Sequence, residues 1–239
     1  MTSARRLTAL AAAAALTAGA VGATVVLATA SGAVTPSRFD APRANPYFPL
    51  QPGTVTRYRG TDEGQHYTET VVVTHRTKMI QGVRTRVVTD VLRRTDGSLA
   101  EKTADWYAGD HRGNVWYFGE DTATYDAQGR LEDREGSWRA GRGGAVPGMI
   151  MPAHPHPSRA YRQEYDRGDA EDQAWIVQRG SHVRVPAGRF GDVVRTFEWS
   201  RLEPGVISQK LYAPGVGIVR ERDLKGGSEA FSLVSVTHR

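Results

Sequence analysis

The sequence predicts an all-β protein: a large curved antiparallel sheet or incomplete barrel of two related meanders, with very little helix. Three observations predict it. From residue 54 onward apolar and polar residues alternate almost everywhere, in segments rich in Val, Thr, Tyr and Trp, as half-buried strands require. Short Gly-containing joints suited to tight hairpins punctuate those segments. No stretch of helical length beyond residue 33 places apolar residues at three- and four-residue spacing.

The first 33 residues stand apart. "MTSARR" carries Arg5 and Arg6 and no acid, an uncharged Ala-rich run covers 7–30, and small residues close it in "ATASGA". That order predicts a secretory signal cut after Ala30 or Ala33, and hence a secreted or cell-envelope address. The run is also long enough to serve as an uncleaved anchor, the one membrane contact expected. The chain has no cysteine, which excludes a thiol-linked lipid anchor and a disulfide framework. Stability must come from a core, and roughly 205 mature residues suffice to build one.

Residues 34–53 hold five prolines and no period, and are expected to form a linker docking through Tyr47, Phe48 and Leu50. Residues 54–239 are expected as a single β domain. Its first part, 54–137, is expected as a six-stranded antiparallel meander whose recognisable joints include "QG" 81–82, "DG" 96–97, "HRG" 111–113 and "QG" 128–129. Residues 139–158 are rich in Gly and Pro and are expected as a crossover, not a central strand. Strand patterning then resumes, for about 12–13 strands in all. The run from "GVRTRVVTDVLRR" through "NVWYFGE" is echoed by "GRFGDVVRTFEWSRL" through "GIVRERD", which suggests two related halves.

The net charge is +5, and Arg5 and Arg6 supply two of those charges. The remaining cations interleave with acids, as in "RLEDREGSWRAGR", and form no one-signed stripe, so nucleic acid is not an expected partner. The sequence contains no G-x-S-x-G elbow, H-E-x-x-H pair, phosphate loop or dinucleotide fingerprint. His66, His75, His111 and His182 occur singly and read as surface residues.

Three clusters carry chemistry. "MIMPAHPHP" places Met149, Met151, His154 and His156 together, a thioether and imidazole set suited to copper or zinc. Its prolines favour a three-residue repeat that puts Met151 and His154 on one face, with a further ligand needed from the sheet. The alternative is that Met149, Ile150 and Met151 plug the core edge while both histidines face water. In "NVWYFGEDTATY" strict alternation puts Trp116, Phe118 and Glu120 on one face and Val115, Tyr117 and Asp121 on the other. Hairpin pairing brings Asp105 or Tyr107 near Glu120 or Asp121, which suggests a carboxylate-based hydrolase or lyase. The alternative there is an aromatic core with acids paired to arginines. "YDRGDAEDQAW" groups Asp166, Asp169, Glu171 and Asp172 without the spacing of a calcium loop, and reads as a solvated hairpin.

The motifs "NPYFPLQPGT", "WYAGDHRGNVWYFGE", "PGMIMPAHP" and "LEPGV…YAPGVGIV", in that order over roughly residues 45–236, resemble a family of exported bacterial all-β proteins with no established activity. His156 lies outside that family's pattern. The ending also resembles curved-sheet periplasmic proteins that cradle lipids or other apolar ligands. The expected function is therefore non-catalytic: binding of a small or amphipathic ligand, or of an envelope partner, on a concave sheet. Trp106, Trp116, Tyr117 and Trp199 are the expected lining. The metal-associated envelope protein and the carboxylate enzyme stand as alternatives. No cofactor beyond copper or zinc is implied.

Overall fold

The computed structural model describes residues 34–157 and 160–239, so the predicted signal at 1–33 lies outside the described residues. Alternating burial along the chain resolves into fifteen strands. In chain order they are β1 Thr54–Asp62, β2 Gln65–Ile80, β3 Val83–Arg94, β4 Leu99–Gly109 and β5 Val115–Tyr125. Next come β6 Leu131–Asp133, β7 Trp138–Arg139, β8 Val146–Met151, β9 Tyr161–Arg162 and β10 Glu164–Tyr165. The last are β11 Asp172–Val185, β12 Gly188–Ser200, β13 Ile207–Ala213, β14 Gly217–Lys225 and β15 Ala230–His238. One 3-10 turn, Pro36–Phe39, is the sole helical segment among the described residues.

The strands form one antiparallel sheet in the order β10-β8-β5-β4-β3-β2-β1-β15-β14-β13-β12-β11-β9, with β6 and β7 also paired to β5. Its two ends, β9 and β10, are consecutive in sequence and separated only by Gln163. Arg162 and Tyr161 pair with Gln173 and Ala174 of β11, while Glu164 and Tyr165 pair with Pro147 and Val146 of β8. The Gln163 amide donates to the Asp172 carbonyl at 2.9 Å. A five-residue seam thus almost closes the sheet into a barrel, which protects edges that would otherwise recruit other strands. The all-β barrel of two meanders agrees with the sequence reading.

Most hairpin joints are the expected ones. At Gln81-Gly82 both residues adopt positive φ (48° and 77°), the geometry a two-residue turn needs to match strand twist. Glu63-Gly64 does the same between β1 and β2 (47° and 75°). Two departures have local causes. Part of 139–158 is a strand after all: β8 lies between β5 and β10, and Gly148 makes this possible. A Cβ there would meet the Gln163 carbonyl oxygen at 2.2 Å, so only glycine permits the approach to the seam. The patterning of "DQAWIVQRG" and "HVRVPAG" predicts two strands over 172–185; they are one, with register shifts near Gly180 (φ 77°) taking up the break.

Residues 34–53 lie as a strap across one end of the barrel. Arg38 pairs with Asp110 at 2.9 Å and stacks over Trp116. The Pro46 carbonyl accepts from Gly215 N at 2.7 Å, and the buried Tyr47 donates its hydroxyl to Asp192 at 2.8 Å. Phe48 meets Tyr107 edge-on at 5.0 Å, capping the aromatic end of the interior.

Candidate functional site

Strand register sends a set of ionisable groups inward. Asp105 pairs with Glu120 across β4 and β5, and Lys210 pairs with Glu221 across β13 and β14. With Glu69, Asp90, Glu101, Glu164 and Glu198 they make eight interior carboxyls and one ammonium, each at least nine-tenths buried. The two halves repeat this placement. Asp105 lies two residues before Tyr107 and Lys210 two before Tyr212, and each occupies the middle strand of three. Lys210 lies 3.2 Å from both Glu198 and Glu221. From the opposite wall its charge also lowers the pKa of Asp105, so the walls approach within electrostatic reach.

Hydroxyl and indole donors reach four of these eight acids. Tyr117 donates to Asp105 at 2.6 Å, Trp138 to Glu164 at 2.9 Å, and Thr196 and Tyr212 to Glu198 at 2.6 and 3.0 Å. Thr103 lies 3.1 Å from Glu101. Among the described residues no donor reaches either oxygen of Asp90 in good hydrogen-bond geometry, and its carboxyl interacts with that of the buried Glu69. Burial dominates their protonation: it pushes Asp90 and Glu101 up to about 8, and Asp105 and Glu221 up to about 7. Glu69, Glu120 and Glu164 move the same way, again through burial first and neighbouring acids second. Lys210 is held charged because its two carboxylates outweigh the burial that opposes charge. The interior therefore stores protons.

The carboxylate candidates separate. Asp105 and Glu120 are direct partners but only 1% and 4% exposed, whereas Asp121 lies outside and pairs with Arg134 at 2.8 Å. Strict alternation fails on β5, because Tyr117 and Glu120 both face inward. Gly119 (φ 126°) and the register shift opposite it form a bulge that turns the strand over. The four expected lining aromatics also part company. Tyr117 is sealed in the interior, stacked on Tyr107 at 4.6 Å. Trp116 donates to Asp110, Trp106 is buried under Lys78 with the ammonium 3.3 Å from its ring, and Trp199 is half-buried opposite Gln173. In the Met/His loop, Met151 is wholly buried and Met149 partly so, while His154 and His156 are exposed. Among the described residues no group of three or more His, Asp or Glu is arranged to hold a metal ion.

The open concavity lies elsewhere. A cavity of about 750 Å³ separates the strap from β2, β3 and β4. Its apolar wall comes from Phe39, Phe48, Leu50, Val83 and Tyr107, and Met79, 61% exposed, stands at its rim. Arg43, Arg84 and Arg86 bring positive charge to it and Asp40 one negative charge. Arg86 is tied to the carbonyls of Thr74 and His75, at 3.3 and 3.0 Å. The strap wall is fixed by Asn45, only 3% exposed. Its amide donates to the carbonyls of Gly113 and Pro152, and its oxygen accepts from the backbone of Tyr47 and Phe48.

Sequence reasoning missed this cleft and most of the interior acids. The acids had a signal: in "TETVVV", "VVTDVL", "TFEWS" and "SQKLYA" a charged residue takes an apolar beat of the alternation. The cleft had none, since one wall comes from an aperiodic segment.

No protein-family model matches the sequence, and no curated protein matches it significantly. Among solved structures, a Bacteroides fragilis chain provisionally described as an exported protein with a YmcC-like fold is similar, with TM-score 0.47 and 15% identity. The likeness covers 81% of this chain and 100% of that one. A Parabacteroides distasonis chain provisionally described as a lipoprotein is similar with TM-score 0.44 and 14% identity, over 82% of this chain and 100% of its own. Both likenesses concern strand arrangement, and nothing about ligand or partner follows from them.

Proposed function

We propose that this chain is an exported, non-catalytic binding protein that takes an amphipathic ligand in the cleft between the strap and β2–β4. One observation carries the reading: a cavity of about 750 Å³ joins an apolar, aromatic wall to an arginine-bearing margin. Its size falls in the range of ligand sites, about 300–1,000 Å³. The exposed thioether of Met79 gives the rim a flexible apolar contact of the kind that adapts to acyl or ring systems. The interior acids are read as structural, because a substrate cannot reach Asp105 and Glu120 while the barrel holds its shape.

The test is a titration of the purified chain with a fluorescent fatty alcohol. Saturable binding is expected, and Met79→Asp, which puts a charge on the apolar rim, is expected to weaken it about tenfold, equivalent to about 1.4 kcal/mol. Binding that is absent, or identical in Met79→Asp, removes the reading.

A further inference from the structure

A second cavity, of about 320 Å³, lies on the other side of the strap and shares Arg43 and Ala44 with the larger cleft. Three loops and one strand bring nitrogen-bearing side chains to it. Arg43 comes from the strap, Arg112 from the β4–β5 turn and His154 from the segment after β8, while Arg179 comes from β11. Among the described residues no carboxylate lines it. Among the described residues neither Arg43 nor Arg112 has an acidic side-chain partner, since the nearby Asp110 is engaged by Arg38 at 2.9 Å. Arg179 reaches Asp192 only at 3.6 Å, and Asp192 already accepts the Tyr47 hydroxyl at 2.8 Å. Three arginines thus line one cavity, and among the described residues the one acid paired with any of them is Asp192, 3.6 Å from Arg179.

The arrangement is held in place. Asn45 ties the strap to Gly113 and Pro152, at 2.8 and 3.0 Å, and so fixes the loops that carry Arg43, Arg112 and His154 to one another. Ala153 N donates to Asn114 Oδ1 at 2.9 Å, a second tie between two of those loops. Planar guanidinium donors match the oxygens of a tetrahedral oxyanion, and the backbone that carries these exposed side chains is already ordered by the fold.

We infer that this cavity is an oxyanion site of the phosphate class. Resting on the amphipathic-ligand reading of the adjacent cleft, it is also the seat for the ligand's headgroup, with the apolar body passing Arg43 into the larger cavity. Free phosphate and a phosphorylated lipid present the same chemistry here.

Calorimetric titration of the full chain with dodecyl phosphate, inorganic phosphate and dodecanol separates these. Dodecyl phosphate is expected to bind at least about tenfold more tightly than dodecanol, and more weakly as salt rises. Arg112→Gln and Arg179→Gln, neither of which lines the larger cleft, are each expected to remove most of that preference. They are expected to leave dodecanol affinity and the melting temperature in place, which guards against misfolding. Arginine-dependent binding of inorganic phosphate with no binding of either alkyl compound keeps the anion site, identifies free phosphate as its ligand, and removes the amphipathic reading. Equal affinity for dodecanol and dodecyl phosphate, or a phosphate preference that survives both substitutions, overturns the site.

Discussion

Lys210 illustrates how much one buried charge can govern. Its ammonium lies within 3.2 Å of two carboxylates, in a barrel interior whose other buried charged groups are, among the described residues, all acids. Bringing three charges out of water is costly, and their mutual attraction together with the Thr196 and Tyr212 hydroxyls offsets much of that cost. Removing the cation alone leaves Glu198 and Glu221 facing each other unpaired. Lys210→Met is therefore expected to destabilise the fold by about 3–5 kcal/mol. Lys210→Met combined with Glu198→Gln and Glu221→Gln is expected to recover most of the loss, because the uncompensated charges go with it. Denaturant titration of the two variants checks both outcomes, and similar midpoints for them would refute the electrostatic account.

Among the elements, the seam formed by β8, β9 and β10 decides whether the sheet closes. It contains few residues, and its tightest contact is the approach of Gly148 to Gln163. Gly148→Ala forces those backbones apart and is expected to cost about 1–3 kcal/mol, the usual range for overpacking. Hydrogen exchange should locate the damage: amides of 161–165 lose protection while those of β2 and β3 keep theirs. This seam also marks where sequence reasoning ends. The long strands were legible because each buries alternate residues against neighbours adjacent in sequence, and "QG" or "DG" fixes their turns. The place of β8 was not, since Pro147 and Gly148 disfavour a strand until a distant backbone requires the glycine. Hairpin logic brought Asp105 to Glu120, yet the inward turn of Tyr117 depended on the Gly119 bulge. Lys210 comes from the far wall, so no local pattern announced that it meets the Asp105 side of the interior.

For the whole molecule, the acid-rich interior sets the pH dependence of stability. Asp90 and Glu101 titrate at about 8 in the folded protein, and Asp105 and Glu221 at about 7. In an unfolded chain such groups titrate near 4. Between those limits the folded state binds more protons than the unfolded one, so each excess proton lowers stability by about 1.4 kcal/mol per pH unit as pH rises. The contribution is fully present below about 4 and is lost as pH climbs toward 8. Asp110 acts in the opposite sense. Burial alone would raise it, but donors from Asn114, Trp116 and Arg38 outweigh that and hold it below the usual carboxylate range. Its contribution is present above about 4 and is lost only in stronger acid. The two windows together place maximum stability in mildly acidic solution. The melting temperature is therefore expected to fall between pH 5.5 and pH 8.5. Replacing Asp90 with Asn, which removes one of the raised carboxyls, is expected to flatten that slope and raise the melting temperature at pH 8.5. A melting temperature that rises with pH over this range, or an unchanged slope in Asp90→Asn, would show that the interior acids fold in their charged form.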